Sequence, residues 1–299
     1  MPRRPDSEKQ VANQIGSVCE EWDYSGSSCA SRVPVFQRAG TSACYFTTKM
    51  AIDADGAPKG YYPGERRPSN NHECFDWINN LNASDQHGIQ GQNGAVGPAA
   101  GFVISGTALT DQAYPANDTR RYVDASSVPY VVLTGGSLPV PAGSTLRKGC
   151  VVFVGDTKTG IYSGAIYADV GRAVGEASLA LALMLGINPF SRRFFPKVEG
   201  GTSERRIFYL VFPSIVIPPQ WNVSEIQRQA KQSFDSWGGE AELRRLFPAM
   251  PAMSGPRPVV IKPPAHRSTE LEKSSEPQRQ FKGDDVSKEE LEKILSNAR

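Results

Sequence analysis

The sequence predicts a mainly β (α+β) fold: a barrel-like β core, a few helices, and one buried helix after a strand-to-turn corner at residues 169–176. Three observations carry this expectation. Short apolar or alternating runs recur between residues 44 and 212, separated by Gly, Pro, Asn and Asp. The 28 glycines and 23 prolines among 299 residues suit many turns better than a helical bundle. One segment, GEASLALALMLG (175–186), is apolar nearly all round, which marks a helix enclosed by the domain.

Taken in order, residues 1–40 form a polar, partly irregular N-terminal segment with VPVF (33–36) as a candidate first strand. CYFTTKMAID (44–53), GFVISGTAL (101–109), VPYVVL (128–133), CVVFVGD (150–156), SGAIYADV (163–170) and RIFYLVF (206–212) read as strands. The turn DTKTG between two of them makes 150–170 a β-hairpin. CFDWINNL (74–81) is read as a short helix. NVSEIQRQAKQSFDSW (222–237) is a longer one, opened by an Asn or Ser cap and closed by Gly238-Gly239, and EAELRRLF (240–247) is another. These segments define a main domain over 41–248. A Pro-rich, charged linker over 249–285 follows, then a short amphipathic helix over 286–299 that starts with the capping box Ser287 and Glu290.

A net charge of +2 is too balanced for nucleic-acid binding as the main activity. No stretch approaches the roughly 20 apolar residues of a membrane span. The N-terminus lacks the apolar core of a Sec signal, so the sequence leaves the location open. The five cysteines include two candidate disulfides, Cys19–Cys29 and Cys44–Cys74. The alternative is a set of small buried apolar side chains.

The glycine turn VGRAVGEA lacks the Lys-Ser/Thr of a phosphate loop and the spacing of a dinucleotide fold. His72, His87 and His266 share no metal-ligand spacing, so neither metal nor cofactor is expected. Asp53 and Asp55 form a D-x-D-G cluster at a strand end, read as an Asx turn or an isolated cation site. Asp169 and Glu176 flank the glycine turn. They are either an acid/base pair or a turn Asp beside a helix-start Glu, which the helix dipole favours regardless of function.

Taken together, KMAIDADGAPKGYYP (49–63), RRYVDASSVPYVVL (120–133), the block 148–189 containing DVGRAVGEAS, and IPPQWNVSEIQRQAKQSFDSWGG (217–239) resemble the chitosanases of glycoside hydrolase family 75 and their bacterial relatives. The likeness covers about residues 44–239. It implies endo-hydrolysis of β-1,4-linked glucosamine with inversion, with Asp169 and Glu176 as the two essential acids, Glu176 donating the proton and Asp169 acting as base. A helix-start position for Glu176 argues the other way, since the dipole favours its ionised form. The resemblance also brings Asp53 and Asp55 into the cleft, and Tyr61, Tyr62 and Trp77 are aromatic candidates for stacking on sugar rings. Arg172 stands where relatives often have proline and is a further substrate-side candidate able to lower a carboxylate pKa. The implied partner is an amino-sugar polysaccharide, reached outside the cytoplasm by a non-classical route, and the C-terminal tail is a candidate contact for a protein partner or secretion machinery. Two alternatives stand beside this one: a toxin or effector that cuts peptidoglycan strands, and a carbohydrate-binding module without turnover.

Overall fold

The computed structural model describes residues 12–23, 25–63, 76–78, 105–190 and 198–261, all within a unit spanning 1–262. In chain order the strands are β1 (Ala12–Trp22), β2 (Cys29–Arg38), β3 (Cys44–Asp53), β4 (Tyr61–Pro63), β5 (Asp76–Ile78), β6 (Tyr130–Leu133), β7 (Cys150–Asp156), β8 (Tyr162–Val170), β9 (Glu176–Ser178) and β10 (Thr202–Val216). The helices are α1 (Leu179–Met184), α2 (Val223–Trp237) and α3 (Gly239–Leu246). Six strands close a barrel in the order β3-β10-β7-β8-β6-β9 and back to β3, as the mainly β expectation requires.

Closure depends on how β3 divides its edges. One edge pairs with β10; the other pairs with β2 through Tyr45 and Cys44, then with β9 through Ala51, Ile52 and Asp53. The β3–β9 and β6–β8 pairs are parallel within a largely antiparallel ring. The barrel strands are continuous apolar runs because both faces are covered. Val152, Val154, Tyr167, Tyr209 and Val211 share one cluster, whereas Val151, Phe153, Phe208 and Leu210 share another with Ile226, Phe234 and Trp237 of the helices. A 15-residue helix does not fit inside six strands, so the face that meets α2 is the outer one and the first cluster fills the barrel. Fully burying each such side chain contributes about 1.5–3 kcal/mol.

The α2 helix begins where the Asn222 side chain accepts a hydrogen bond from the Glu225 N–H (3.0 Å) and ends at Gly238. It lies so close to β8 that a Cβ on Gly164 would sit 2.7 Å from Ala230 Cβ and 2.8 Å from the Ile226 carbonyl oxygen. Gln227 fastens the contact by accepting from the Gly164 N–H (2.7 Å). We expect Gly164→Val to lift the helix and cost about 1–3 kcal/mol, read as a lower denaturation midpoint at unchanged slope. An unchanged midpoint would mean that α2 does not pack here.

Several expectations are corrected. Residues 12–38 are not irregular. They form the antiparallel β1/β2 hairpin, in which VPVF is only the middle of β2 and the Cys19–Cys29 disulfide ties the two strands. Cys44 is free and buried, its thiol pushed up to about 12 by desolvation, and Cys150 is also free and buried; Cys74 lies outside the described residues. Residues 105–109 are a loop rather than a strand, tied beside β8, and 101–104 lie outside the described residues. Within 74–81, residues 76–78 are strand, paired in parallel with β4, and the rest lie outside. The apolar helix starts only at Leu179. Glu176–Ser178 pair on both sides with β3 and β6, and Ser178 then caps α1 by accepting from Leu181 N–H. Residues 251–261 are held against the barrel through Ser254 on Tyr162 and Gly160 and through Arg257 on Met184. The remainder of the linker and the helix expected over 286–299 lie outside the described residues.

Candidate active site

Asp169 reaches its position through a register slip. Along the parallel pair, Tyr130 faces Ile166 and Val131 faces Tyr167, but Val132 faces Asp169, so Ala168 is an extra residue in β8. Such a bulge re-aims the side chains that follow it. Without it Asp169 would fall opposite Leu133, a residue of the barrel interior. The Ala168 carbonyl freed by the bulge accepts from Leu109 N–H (2.8 Å).

Val132 also pairs with Glu176 on its other side. Asp169, Val132 and Glu176 therefore stand in a row across three adjacent strands. Two strand spacings put the outer Cα atoms about 9–10 Å apart. Both carboxylates line one cleft of about 380 Å³, together with Ile52, Asp53, Asp55 and Val198. The two carboxylates thus share one cleft.

Asp53 closes β3 and is buried, with Oδ1 accepting from Asp55 N–H (2.8 Å). Gly56 follows at φ +80°, where an added Cβ would lie 2.0 Å from the Val123 carbonyl oxygen, so the D-x-D-G motif is a tight turn that only glycine completes. Tyr130 holds the turn by donating its hydroxyl to the Asp55 carbonyl (2.8 Å). Carboxylate oxygens of Asp53, Asp55 and Asp169 lie within 4.8 Å of one another. These are the residues that offer oxygen ligands to a hard cation, but an acidic cluster alone does not define a metal site.

Burial and mutual repulsion set the proton affinities. Desolvation, then the Asp55 and Glu176 charges, pushes Asp53 well above the ordinary carboxylate range. Desolvation raises Glu176 to about 7, with Asp55 and Asp169 adding to the rise; no hydrogen bond reaches it among the described residues. Asp169 is raised less, to about 6, because backbone N–H groups of Ala108 (2.8 Å to Oδ1) and Val170 oppose its desolvation and Lys148 favours its ionised form. Lys148 in turn donates to the Ala108 carbonyl (2.7 Å). Glu176 therefore holds its proton to higher pH than Asp169. The helix-dipole argument fails because Glu176 belongs to strand β9, three residues before α1.

A carboxyl group whose pKa is raised on folding opposes folding once the pH exceeds its unfolded value. For Glu176 that penalty grows between about 4.5 and about 7. We expect Glu176→Gln to be more stable than the parent by about 2 kcal/mol at a pH of roughly 8, with the gap closing below a pH of about 4. A gap that persisted unchanged in acid would point to packing instead.

Of the other expected site residues, Tyr61 and Tyr62 lie in β4 and Trp77 in β5, where the described structure extends to the backbone only. Arg172 does not line the cleft: its guanidinium lies 4.0 Å from the Trp22 ring centroid and donates to the Gly26 carbonyl. Arg172 is thus not among the residues that line the cleft, and Lys148 is a cation that favours ionised Asp169. The sequence carried no local signal for Val132, Ala108 or Lys148 as site residues, since Ala108 meets Asp169 across 61 positions of chain. No family model matches this chain, and no curated protein matches it.

Proposed function

We propose that the protein is an endo-acting glycoside hydrolase of the chitosanase type, cleaving β-1,4-linked glucosamine chains by single displacement with inversion. The observation that carries this reading is the placement of Asp169 and Glu176 on either side of Val132 in one acidic cleft, with Glu176 the later to ionise. Glu176 donates its proton to the glycosidic oxygen as the C1–O bond breaks. Asp169, ionised and anchored by Ala108, takes a proton from water attacking C1 on the opposite face. The mechanism requires the two carboxyl groups, borne two strands apart, to stand about 6.5–9.5 Å from one another, as inverting enzymes keep them to admit that water. Asp53 at the turn is a positioning residue for Asp55.

Charge supports the substrate class. Four acidic residues line the cleft, and the field of those that are ionised draws in a polymer bearing ammonium groups along its length. Peptidoglycan strands carry neutral acetamido groups in place of those ammonium groups, with carboxylates on their lactyl and peptide substituents, and gain no such attraction. The Cys19–Cys29 disulfide suits action in an oxidising compartment. No helix among the described residues is long and apolar enough to cross a membrane.

Reducing-end release from chitosan and from purified peptidoglycan checks the proposal. Release from chitosan alone is the expected result. Release from peptidoglycan alone would replace the substrate while keeping the chemistry, and glycan binding without any release would leave a binding module.

A further inference from the structure

A second pocket, of about 330 Å³, opens between the 111–124 segment and the residues leading into α2. Pro58, from the loop that carries Asp55 in the cleft, forms part of its wall. The volume falls within the range of small-molecule sites. Two of its lining side chains hold polar atoms that no group among the described residues satisfies: Trp221 Nε1, in a residue 7% exposed, and Thr119 Oγ1, in one 2% exposed. Buried donors and acceptors are rarely left without a partner unless a site requires them. Gln220, directly before Trp221, is the one described non-glycine residue at positive φ (74°), a strained conformation of the kind retained at ligand sites.

The charges in this pocket do not cancel. Arg120 is taken by the buried Asp118 carboxylate and lies 4.6 Å from the Tyr114 ring centroid. Asp111 and Asp124 also line the pocket, and among the described residues they accept only backbone N–H and serine hydroxyl bonds. The cavity thus combines unpaired negative charge with one orphan donor and one orphan hydroxyl.

We propose that this pocket is a second glycan-binding site that takes a single amino-sugar unit. Its ammonium group would face Asp111 and Asp124, one ring hydroxyl would accept from Trp221 Nε1, and another would bond to Thr119 Oγ1. The choice of ligand rests on the reading of the cleft given above; the pocket and its unsatisfied groups do not.

The test follows Trp and amide resonances of the full chain carrying Glu176→Gln as glucosamine oligosaccharides are added. The chain has four tryptophans, and Trp221→Phe in the same background identifies the Trp221 indole signal by its disappearance. The expected result is a Trp221 signal that moves and saturates, with Thr119→Val and Trp221→Phe each weakening occupancy of this pocket about tenfold. Glucose oligosaccharides of equal length should bind the pocket at least about tenfold more weakly, for want of the charge-assisted contact. A Trp221 signal that stays fixed while the Ala108 amide in the cleft saturates would overturn the second site and leave the cleft reading intact. A moving Trp221 beside a fixed Ala108 would uphold the pocket and remove the cleft reading. If neither moves, both fall. Equal binding of glucose and glucosamine oligomers would overturn the amino-sugar assignment.

Discussion

Glu176→Gln is expected to reduce glycan hydrolysis by about 10²–10⁴-fold while leaving substrate binding nearly unchanged. The amide keeps the shape of the side chain but has no acidic proton to give, so the leaving oxygen must depart as an alkoxide. The loss should appear in kcat, with KM little altered, because the proton transfer is made in the transition state and not in the bound complex. It should shrink for substrates with activated leaving groups such as aryl glycosides, which depart without a proton. A uniform loss across leaving groups would show that Glu176 serves binding or folding rather than acid catalysis. Increased stability of the same variant near pH 8 separates a catalytic loss from a structural one.

Asp169→Asn is expected to cause a loss of similar size and to change the pH profile in a specific way. The proposed mechanism needs Asp169 ionised and Glu176 protonated. Activity should therefore rise as pH climbs through about 6 and fall as it passes about 7, giving a narrow bell. The two carboxylates interact through space, so these limbs belong to the pair. The residual activity of Asp169→Asn should lose the acidic limb. Its alkaline limb should move to lower pH, because the negative charge that helps Glu176 keep its proton is gone. An alkaline limb that moved up would contradict the assignment of roles. Lys148→Met acts on the same balance from the other side. Removing the cation that favours ionised Asp169 should raise the acidic limb with only a modest loss at the optimum.

The parts of the fold legible in the sequence were those specified locally. The strand CYFTTKMAID matches β3 from end to end, CVVFVGD matches β7, and α2 lies between its Asn222 cap and Gly238, because continuous apolar runs, a tight turn and capping residues act within a few positions. Barrel closure was not legible. It depends on the three-residue strand β9, whose partners come from residues 51–53 and 131–132 and whose sequence runs directly into a helix former. The β1 strand was missed because its polar residues show little alternation, and its pairing with β2 together with a disulfide compensates for that weak pattern.

The site followed the same division. Asp169 and Glu176 were identifiable as a candidate pair from the sequence, but the order in which burial and backbone donors make them ionise was not. The local argument against Glu176 as proton donor assumed a helix at Glu176, where long-range pairing makes a strand. The bulge at Ala168 that turns Asp169 out of the barrel arises from pairing with a strand about 36 positions earlier, and no pattern within SGAIYADV announces it. Arg172 looked like a cleft residue by proximity in sequence, but its guanidinium found the Trp22 ring instead.

The most direct test of the central claim, that Asp169 and Glu176 act together in a single displacement across Val132, is the anomeric configuration of the first product. Proton NMR of a glucosamine oligosaccharide during hydrolysis reports it before mutarotation blurs the signal. The account predicts that the new reducing end appears first as the α anomer. A β anomer appearing first would mean that a carboxylate attacks the sugar directly, and would contradict the paired acid and base proposed for this cleft.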